Sequence, residues 1–389
     1  MKDKKELKIV NIISTIILFL TVFYLMNKYV NKVFASDYPS HINHSLRGDS
    51  YSLIALPIVV FCGFMNSRTL FAVFMSIVIL LTIMACGFFV KRITRIMNTN
   101  INSKLLIVPL STIFICKICI PEWSPLYYQA SLSTQPWHNS TFTLMRMFAI
   151  ISLYLFFKIQ KKYDNKVYFK DLFVFTLILF LTNFAKPSFI MAFAPIVLFE
   201  LIRDFVKTKG RNFKNEFLIG ICVLISCSIL IYQYSASFGS SSNSDGGIAF
   251  SLSNFINYFI ENKKYPIYFF LSFAYPLYIL YLCIKNRKAL DSYSKKMYIQ
   301  TWLMYVLSFI ESLVLVETGS RAADGNFGWG SLFFAYILFV MSICMHIKLR
   351  KEKLINDSNN TIAVYTYALH IMFGVCYFVL LCMGYHYYF

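Results

Sequence analysis

The chain has 389 residues, of which 58% are hydrophobic and only 14% are charged. This composition excludes an ordinary soluble domain and indicates a membrane protein with several crossings. The formal net charge of +19 would suggest nucleic-acid binding in a soluble protein. In a membrane protein, topology and contact with anionic membrane lipids explain it better, so we predict no nucleic-acid partner.

Apolar runs long enough for spanning helices recur along the whole chain. We predict an all-α, polytopic fold of eleven crossings that forms one transmembrane domain over residues 1–389. Two runs, 172–185 and 188–202, are shorter than a usual crossing and are predicted to form a tilted or broken pair hinged at Lys186 and Pro187. The other predicted crossings are 9–26, 70–90, 105–120, 141–157, 217–232, 266–284, 298–316, 329–347 and 362–383.

A further apolar run at 52–65 is predicted to be a short re-entrant or interfacial helix. If it were a crossing, either the later basic loops or the N-terminus would lie on the outer side of the membrane. It is therefore left out of the eleven.

Most of the Lys and Arg residues fall in six clusters between these runs, at 2–8, 91–104, 158–170, 203–214, 285–296 and 348–353. Loops rich in Lys and Arg stay on the cytoplasmic side. We therefore predict a cytoplasmic N-terminus, and the abundance of Lys, Ile, Phe, Tyr and Asn favours the cytoplasmic membrane of a bacterium. The loops at 28–68, 121–140, 233–265 and 317–328 then face outward, as does the hinge at Lys186, and these loops are predicted to form the functional site.

The first outward loop places Asp37 at the start of a helical segment and His41 four positions later. This spacing puts both side chains on one helix face. An outward carboxylate near the membrane surface suits a general base that acts on a lipid-presented substrate. An Asp before a Pro-started helix is also a good N-cap, so the spacing leaves both interpretations open.

Trp137, His138 and Asn139 close the second outward loop. Aromatic faces beside hydrogen-bonding groups suit the recognition of a sugar ring, and anchoring at the membrane interface is the alternative. Arg146 follows inside the next apolar run, and Lys186 opens the broken pair. Cations at such depths face a cavity or a partner unless they snorkel to the interface, and both are placed to hold a lipid phosphate.

Glu317 begins a Gly-rich polar loop that also contains Arg321, Asp324 and Asn326. Glu317 is a second candidate for the catalytic base, and the other three are candidates for substrate binding. The alternative is that this charged loop only terminates the preceding helix and binds no substrate. The sequence contains neither a P-loop nor an HExxH motif. We predict no metal ligands, and a divalent cation is left open as a cofactor.

The long first outward loop, opening with Asp37-Tyr38-Pro39-Ser40-His41, resembles the GT-C superfamily of polytopic glycosyltransferases. The tripeptide Trp137-His138-Asn139 and the loop Gly325-Asn326-Phe327-Gly328 resemble bacterial cell-envelope members. The resemblance implies transfer of a sugar from a polyprenyl-phosphate-linked donor to a glycan or lipid acceptor on the outer face. It also implies inversion at the anomeric carbon and assigns the first-loop carboxylate to Asp37. The chain lacks the Asp-Asp or Asp-Glu pair and the C-terminal soluble domain of many members, which leaves the base and metal dependence open.

Two other functions remain open. A polymerase of lipid-linked oligosaccharide repeat units would share topology and substrates, but we would expect more outward Arg residues than Arg47, Arg68, Arg146 and Arg321. A lipid or sugar transporter usually has an internal repeat and midplane charges. No repeat is evident here, and the polar residues gather at the outer edge, with Glu311 as the main exception.

Overall fold

The protein is an all-α membrane protein with one small two-stranded sheet in the part of the chain that the structure describes. This computed structural model describes residues 2–99, 107–118, 137–162, 167–238, 246–261, 265–319 and 325–384. The helices are α1 (Lys2–Val30), α2 (Tyr38–Arg47), α3 (Ala55–Ile58), α4 (Arg68–Ile96), α5 (Ile107–Thr112), α6 (Ser140–Gln160), α7 (Phe169–Ala185), α8 (Ser188–Thr208), α9 (Phe213–Phe238), α10 (Ser253–Phe255), α11 (Tyr265–Ser272), α12 (Ala274–Lys285), α13 (Ser292–Val314), α14 (Gly328–Lys351) and α15 (Asp357–Cys382), and the strands are β1 (Ile248–Phe250) and β2 (Leu315–Glu317).

Seven of the described helices are long and apolar enough to cross a membrane, namely α1, α4, α6, α9, α13, α14 and α15. The bent pair α11 and α12 provides an eighth crossing if it is counted as one span. This confirms the predicted all-α, polytopic membrane protein. The count of eleven stays a prediction, because α7 is short and α8 carries charged residues in its last turns.

Helix α14 is the core of the bundle. It is buried along nearly its whole length and packs against α4, α6, α8, α12 and α13. A helix that is apolar all round is stable only when neighbours surround it. Gly330 lets α14 approach closely, since a Cβ there would lie 2.8 Å from the carbonyl oxygen of Ser188 at the start of α8.

The two ends of the bundle differ in composition. At one end, here called the basic end, ion pairs join Lys158 to Asp171, Lys296 to Asp204, and Lys348 to Asp291. The opposite end, here called the site end, contains the last turn of α1, the first turns of α6 and α14, and the junction of α7 with α8. The described residues of the basic clusters and those of the predicted outward loops thus lie at opposite ends of the helices.

The predicted helix over 105–120 is wrong in its second half. Helix α5 ends at Thr112, and residues 113–118 are non-helical although most of them are buried. This backbone packs so tightly on α15 that a Cβ at Gly374 would lie 1.5 Å from the carbonyl oxygen of Phe114. Irregular backbone at membrane depth is tolerated only where protein surrounds it, and this segment meets that condition.

His370 on α15 joins that segment to a second interruption. The axes of α11 and α12 are bent by 71° around Phe273, because Pro276 cannot bond to the carbonyl of Ser272 and its ring clashes there. The backbone N–H of Tyr275 donates to Nε2 of His370 at 3.4 Å. Nδ1 of the same ring therefore carries the proton and donates to the carbonyl of Cys116 at 2.7 Å.

The apolar run at 52–65 forms α3 and a following π-helical turn, Val59–Phe64, which together are too short to cross. Both ends of the run lie at the site end. Ser52 donates to the carbonyl of Ala185 at 2.6 Å, and Arg68 just beyond the run contacts the carbonyl of Val30. The run therefore enters and leaves on the same side.

Candidate functional site

The Asp37 carboxylate is held by the start of α6. Asp37 immediately precedes α2, but its side chain makes no capping hydrogen bond to that helix. Instead, the Asn139 amide donates to its Oδ2 at 2.6 Å, and Nε2 of His138 lies 4.0 Å from the same oxygen. The side chain is still 41% exposed. The N-cap interpretation of Asp37 is therefore wrong, and the carboxylate is both positioned and accessible.

Asn139 is the residue that orients this carboxylate. Its Oδ1 caps α6 by accepting hydrogen bonds from the Phe142 backbone and the Thr141 hydroxyl, each at 2.8 Å. Because the oxygen is committed to the helix, the amide nitrogen must point toward Asp37. Asn139 was predicted to bind substrate, whereas its contacts in the structure give it a positioning role.

His41 lies one turn further along α2 and contacts the next residue of α6, since its Nδ1 lies 2.7 Å from Oγ of Ser140. Burial lowers the pKa of His41 from 6.5 to about 4. Asp37 acts in the opposite direction, whereas Lys186 and the imidazoles of His44 and His138 lower the pKa further. His41 is therefore a neutral imidazole at neutral pH.

Lys186 approaches the same place from the junction of α7 and α8. Its Nζ lies 3.4 Å from the Thr141 hydroxyl and 4.7 Å from the ring centroid of Trp329. The imidazole of His138 also lies against Trp329, with ring centroids 5.7 Å apart. A cation over an indole face is attracted by the ring quadrupole. Sequence reasoning placed Trp329 at the start of a predicted crossing and gave it no role of its own.

A second feature lies deeper along α6. The Arg146 guanidinium lies 4.5 Å from the ring centroid of Tyr336 and lines a narrow pocket with an apolar wall. Trp137 also lines this pocket and packs on Phe378 with ring centroids 4.9 Å apart, so its ring is buried in protein and is no interface anchor. The complete lining is Ile79, Thr82, Ile83, Ile113, Trp137, Thr143, Arg146 and Tyr336.

Glu317 and Asn326 form a separate pair. Glu317 ends β2, which runs antiparallel to β1, and its Oε2 accepts a hydrogen bond from the Asn326 amide at 2.7 Å. Asn326 stands three residues before Trp329, so the pair is linked to the Lys186 region through the start of α14. Arg321 and Asp324 were predicted to bind substrate, and both lie outside the described residues.

The structure thus brings together three connections between helices that are far apart in sequence. They are the segment before α2, the segment before α6 and the junction of α7 with α8. Around the Asp37 carboxylate, a neutral imidazole, an amide donor and a lysine cation converge at one end of the bundle. Such a group can accept a proton from a hydroxyl and attract an anion. Within the described residues no three His, Cys, Asp or Glu side chains are placed to hold a metal ion. The predicted residues that converge are Asp37, His41, His138, Asn139 and Lys186.

Comparison with known proteins assigns no class to this arrangement. No protein-family model matches the chain, and neither a curated protein nor a solved structure is significantly similar to it.

Proposed function

We propose that the protein is a membrane glycosyltransferase that moves a sugar from a polyprenyl-phosphate-linked donor to a glycan or lipid acceptor. The observation that supports this proposal is the Asp37 carboxylate, which the Asn139 amide orients and which no capping bond engages. The resemblance of the first loop to the GT-C superfamily assigns the base to the same residue. The protein is proposed to act in the bacterial cytoplasmic membrane with its site end outward.

In the proposed reaction, an acceptor hydroxyl attacks the anomeric carbon of the donor and gives its proton to Asp37. The bond between that carbon and the phosphate oxygen breaks as the new glycosidic bond forms, so the configuration inverts. The departing phosphate keeps the bonding electron pair. Arg146 is proposed to bind this phosphate, since a guanidinium binds phosphate oxygens bidentately.

The spacing along α6 is compatible with this assignment. Arg146 follows Asn139 by seven residues, which is about 10 Å along a helix. A carboxylate, an attacking hydroxyl, an anomeric carbon and a leaving phosphate in line span about 9 Å when successive groups are about 3 Å apart. Asn139 marks the position of the carboxylate, and Arg146 lies about two turns further along α6.

The decisive test replaces Asp37 by Asn in the full chain, reconstituted in membranes with a polyprenyl-phosphate-linked sugar. Asn keeps an oxygen that can accept from the Asn139 amide, but it cannot act as a base. Loss of a general base typically lowers the rate by about 10²–10⁴-fold. The matched control is Asp49→Asn, because Asp49 is an exposed carboxylate of the same loop.

We expect Asp37→Asn to abolish transfer at normal protein level and Asp49→Asn to retain it. Near-normal transfer by Asp37→Asn would overturn the assignment of the base and move it to Glu317. The proposed orientation is checked separately, with an impermeant thiol reagent on intact cells. Ser36→Cys should label above the background of the parent protein, and Lys353→Cys should not.

One observation favours a transporter as the second candidate. The non-helical segment 113–118 and the bend at Phe273 meet at His370, in the middle of the bundle. Transporters often build their midplane sites from such interrupted helices. Movement of a lipid-linked sugar across a vesicle membrane without any acceptor, unaffected by Asp37→Asn, would favour the transporter over the transferase.

A further inference from the structure

The segment 248–260 carries an exposed apolar surface outside the long helices. Its sequence contains no charged residue, although it follows Asp245 and precedes the charged stretch 261–264. Phe250 is 71% exposed and Ile260 is 59% exposed. The exposed apolar side chains are Ile248, Phe250, Leu252, Phe255, Ile256 and Ile260.

This segment is fixed to the side of α13 rather than beyond its end. The Ser251 backbone donates to the carbonyl of Val314 at 2.8 Å, and the Asn254 amide donates to that of Ser312 at 3.1 Å. Phe259 packs on Phe309, five residues before the end of the helix. Five residues correspond to about 8 Å of helix, so the segment lies beside the last turns of a predicted crossing.

The surface is continuous with exposed apolar side chains of the neighbouring helices α11 and α13. Phe309 also contacts Phe269 of α11, and the neighbouring Phe270 and Ile267 are exposed. Ile310 of α13 is exposed at the same level. Exposed apolar patches of this kind mark interaction sites, and here the adjoining surface already belongs to spanning helices.

We infer that segment 248–260 is embedded in the acyl chains of the membrane leaflet at the site end and acts as a lipid-binding platform. In this apolar environment the backbone N–H and C=O groups need hydrogen-bond partners, and the pairing of β1 with β2 supplies some of them. Since Glu317 belongs to β2, the platform fixes that carboxylate at the boundary between lipid and site. This inference concerns the lipid alone and does not depend on the transferase proposal.

Photo-crosslinking tests the inference on the full-length protein in nanodiscs of a single phosphatidylglycerol. The residue p-benzoylphenylalanine is introduced at Phe250 or at Ile260, and as a matched control at Asp49, which is exposed in the first loop of the same end. After irradiation, intact mass spectrometry measures the yield of the lipid adduct. Two test positions are used so that misfolding of one variant leaves the other.

We expect the adduct yield at Phe250 and Ile260 to exceed that at Asp49 severalfold, because benzophenone reacts with C–H groups that lie against it and acyl chains supply them at an embedded position. Equal yields at the test and control positions would overturn the inference. Adducts with a second protein chain instead of lipid would overturn it as well, and would show a protein partner on this surface.

Discussion

The two ends of the bundle bury cations in different ways. At the basic end, Lys348 contacts Asp291 at 2.9 Å and Glu352 at 2.6 Å. At the site end, Lys186 lies over the ring of Trp329 and Arg146 lies over that of Tyr336. A carboxylate cancels the charge of its partner, whereas an aromatic ring stabilises a cation and leaves its charge in place. The ion pairs of the basic end therefore stabilise the fold, and the cations of the site end are those proposed to attract an anion.

The titration of Asp291 agrees with this view of the basic end. Burial alone would raise the pKa of Asp291, but hydrogen bonds from Ser294 and Lys348 outweigh burial and hold the pKa below its usual value. Asp291 also caps α13 by accepting from the Ser294 backbone at 2.8 Å. One side chain thus fixes the start of α13 to the last turns of α14, and its contribution to stability is lost as the pH falls through the range where the carboxylate is protonated.

Among the substitutions that compare the two ends, the largest expected effect is on transfer activity when the Arg146 cation is removed. Arg146→Met keeps the length and apolar stem of the side chain and deletes the charge over Tyr336. Loss of one group that stabilises transition-state charge costs about 10²–10³-fold in rate. We expect a loss of this size in the reconstituted transfer assay, with the melting temperature close to that of the parent protein. Unchanged transfer would show that the phosphate is bound elsewhere.

The same kind of substitution at the basic end should affect folding instead. Lys348→Met removes the ion pairs with Asp291 and Glu352 and the hydrogen bond to the carbonyl of Met97. Hydrogen bonds to charged groups contribute about 1.5–3 kcal/mol, and the lower value applies here because both carboxylates remain partly hydrated. We expect a lower melting temperature in detergent and normal transfer per folded molecule. A loss of transfer without a loss of stability would break the contrast between the two ends.

The smallest expected effect is a pH dependence of stability that comes from the site end. The folded pKa of His41 is about 4, below its ordinary value of 6.5. The unfolded chain therefore binds a proton first, and stability falls as the pH drops from about 6.5 toward 4. His41→Gln removes the titrating imidazole and with it this pH dependence of stability. We expect the melting temperature of the parent protein to fall more between pH 7 and pH 5 than that of the variant, and parallel curves would contradict the buried neutral imidazole.

Sequence reasoning located the long helices because hydropathy is a local property. The sequence predicted a crossing at 329–347, close to the observed helix Gly328–Lys351, and it placed Asp37, His138 and Lys186 on the same side. It failed at 105–120, where the helix stops because Gly374 and His370, more than two hundred residues away, accommodate a non-helical backbone. It also missed the link between Asn139 and Asp37, since a cap that orients a carboxylate depends on two helices meeting. The signal for Asn139 was present in its position directly before a helix.

The double hydrogen bond of His370 also sets an order for biogenesis. During synthesis, the carbonyl of Cys116 and the N–H of Tyr275 enter the membrane long before α15 emerges from the ribosome. Each is a backbone group that hydrocarbon cannot satisfy. The hydrogen bonds of both groups with His370 can therefore form only after α15 has been synthesised, and the centre of the bundle is completed after translation of the helices that it joins.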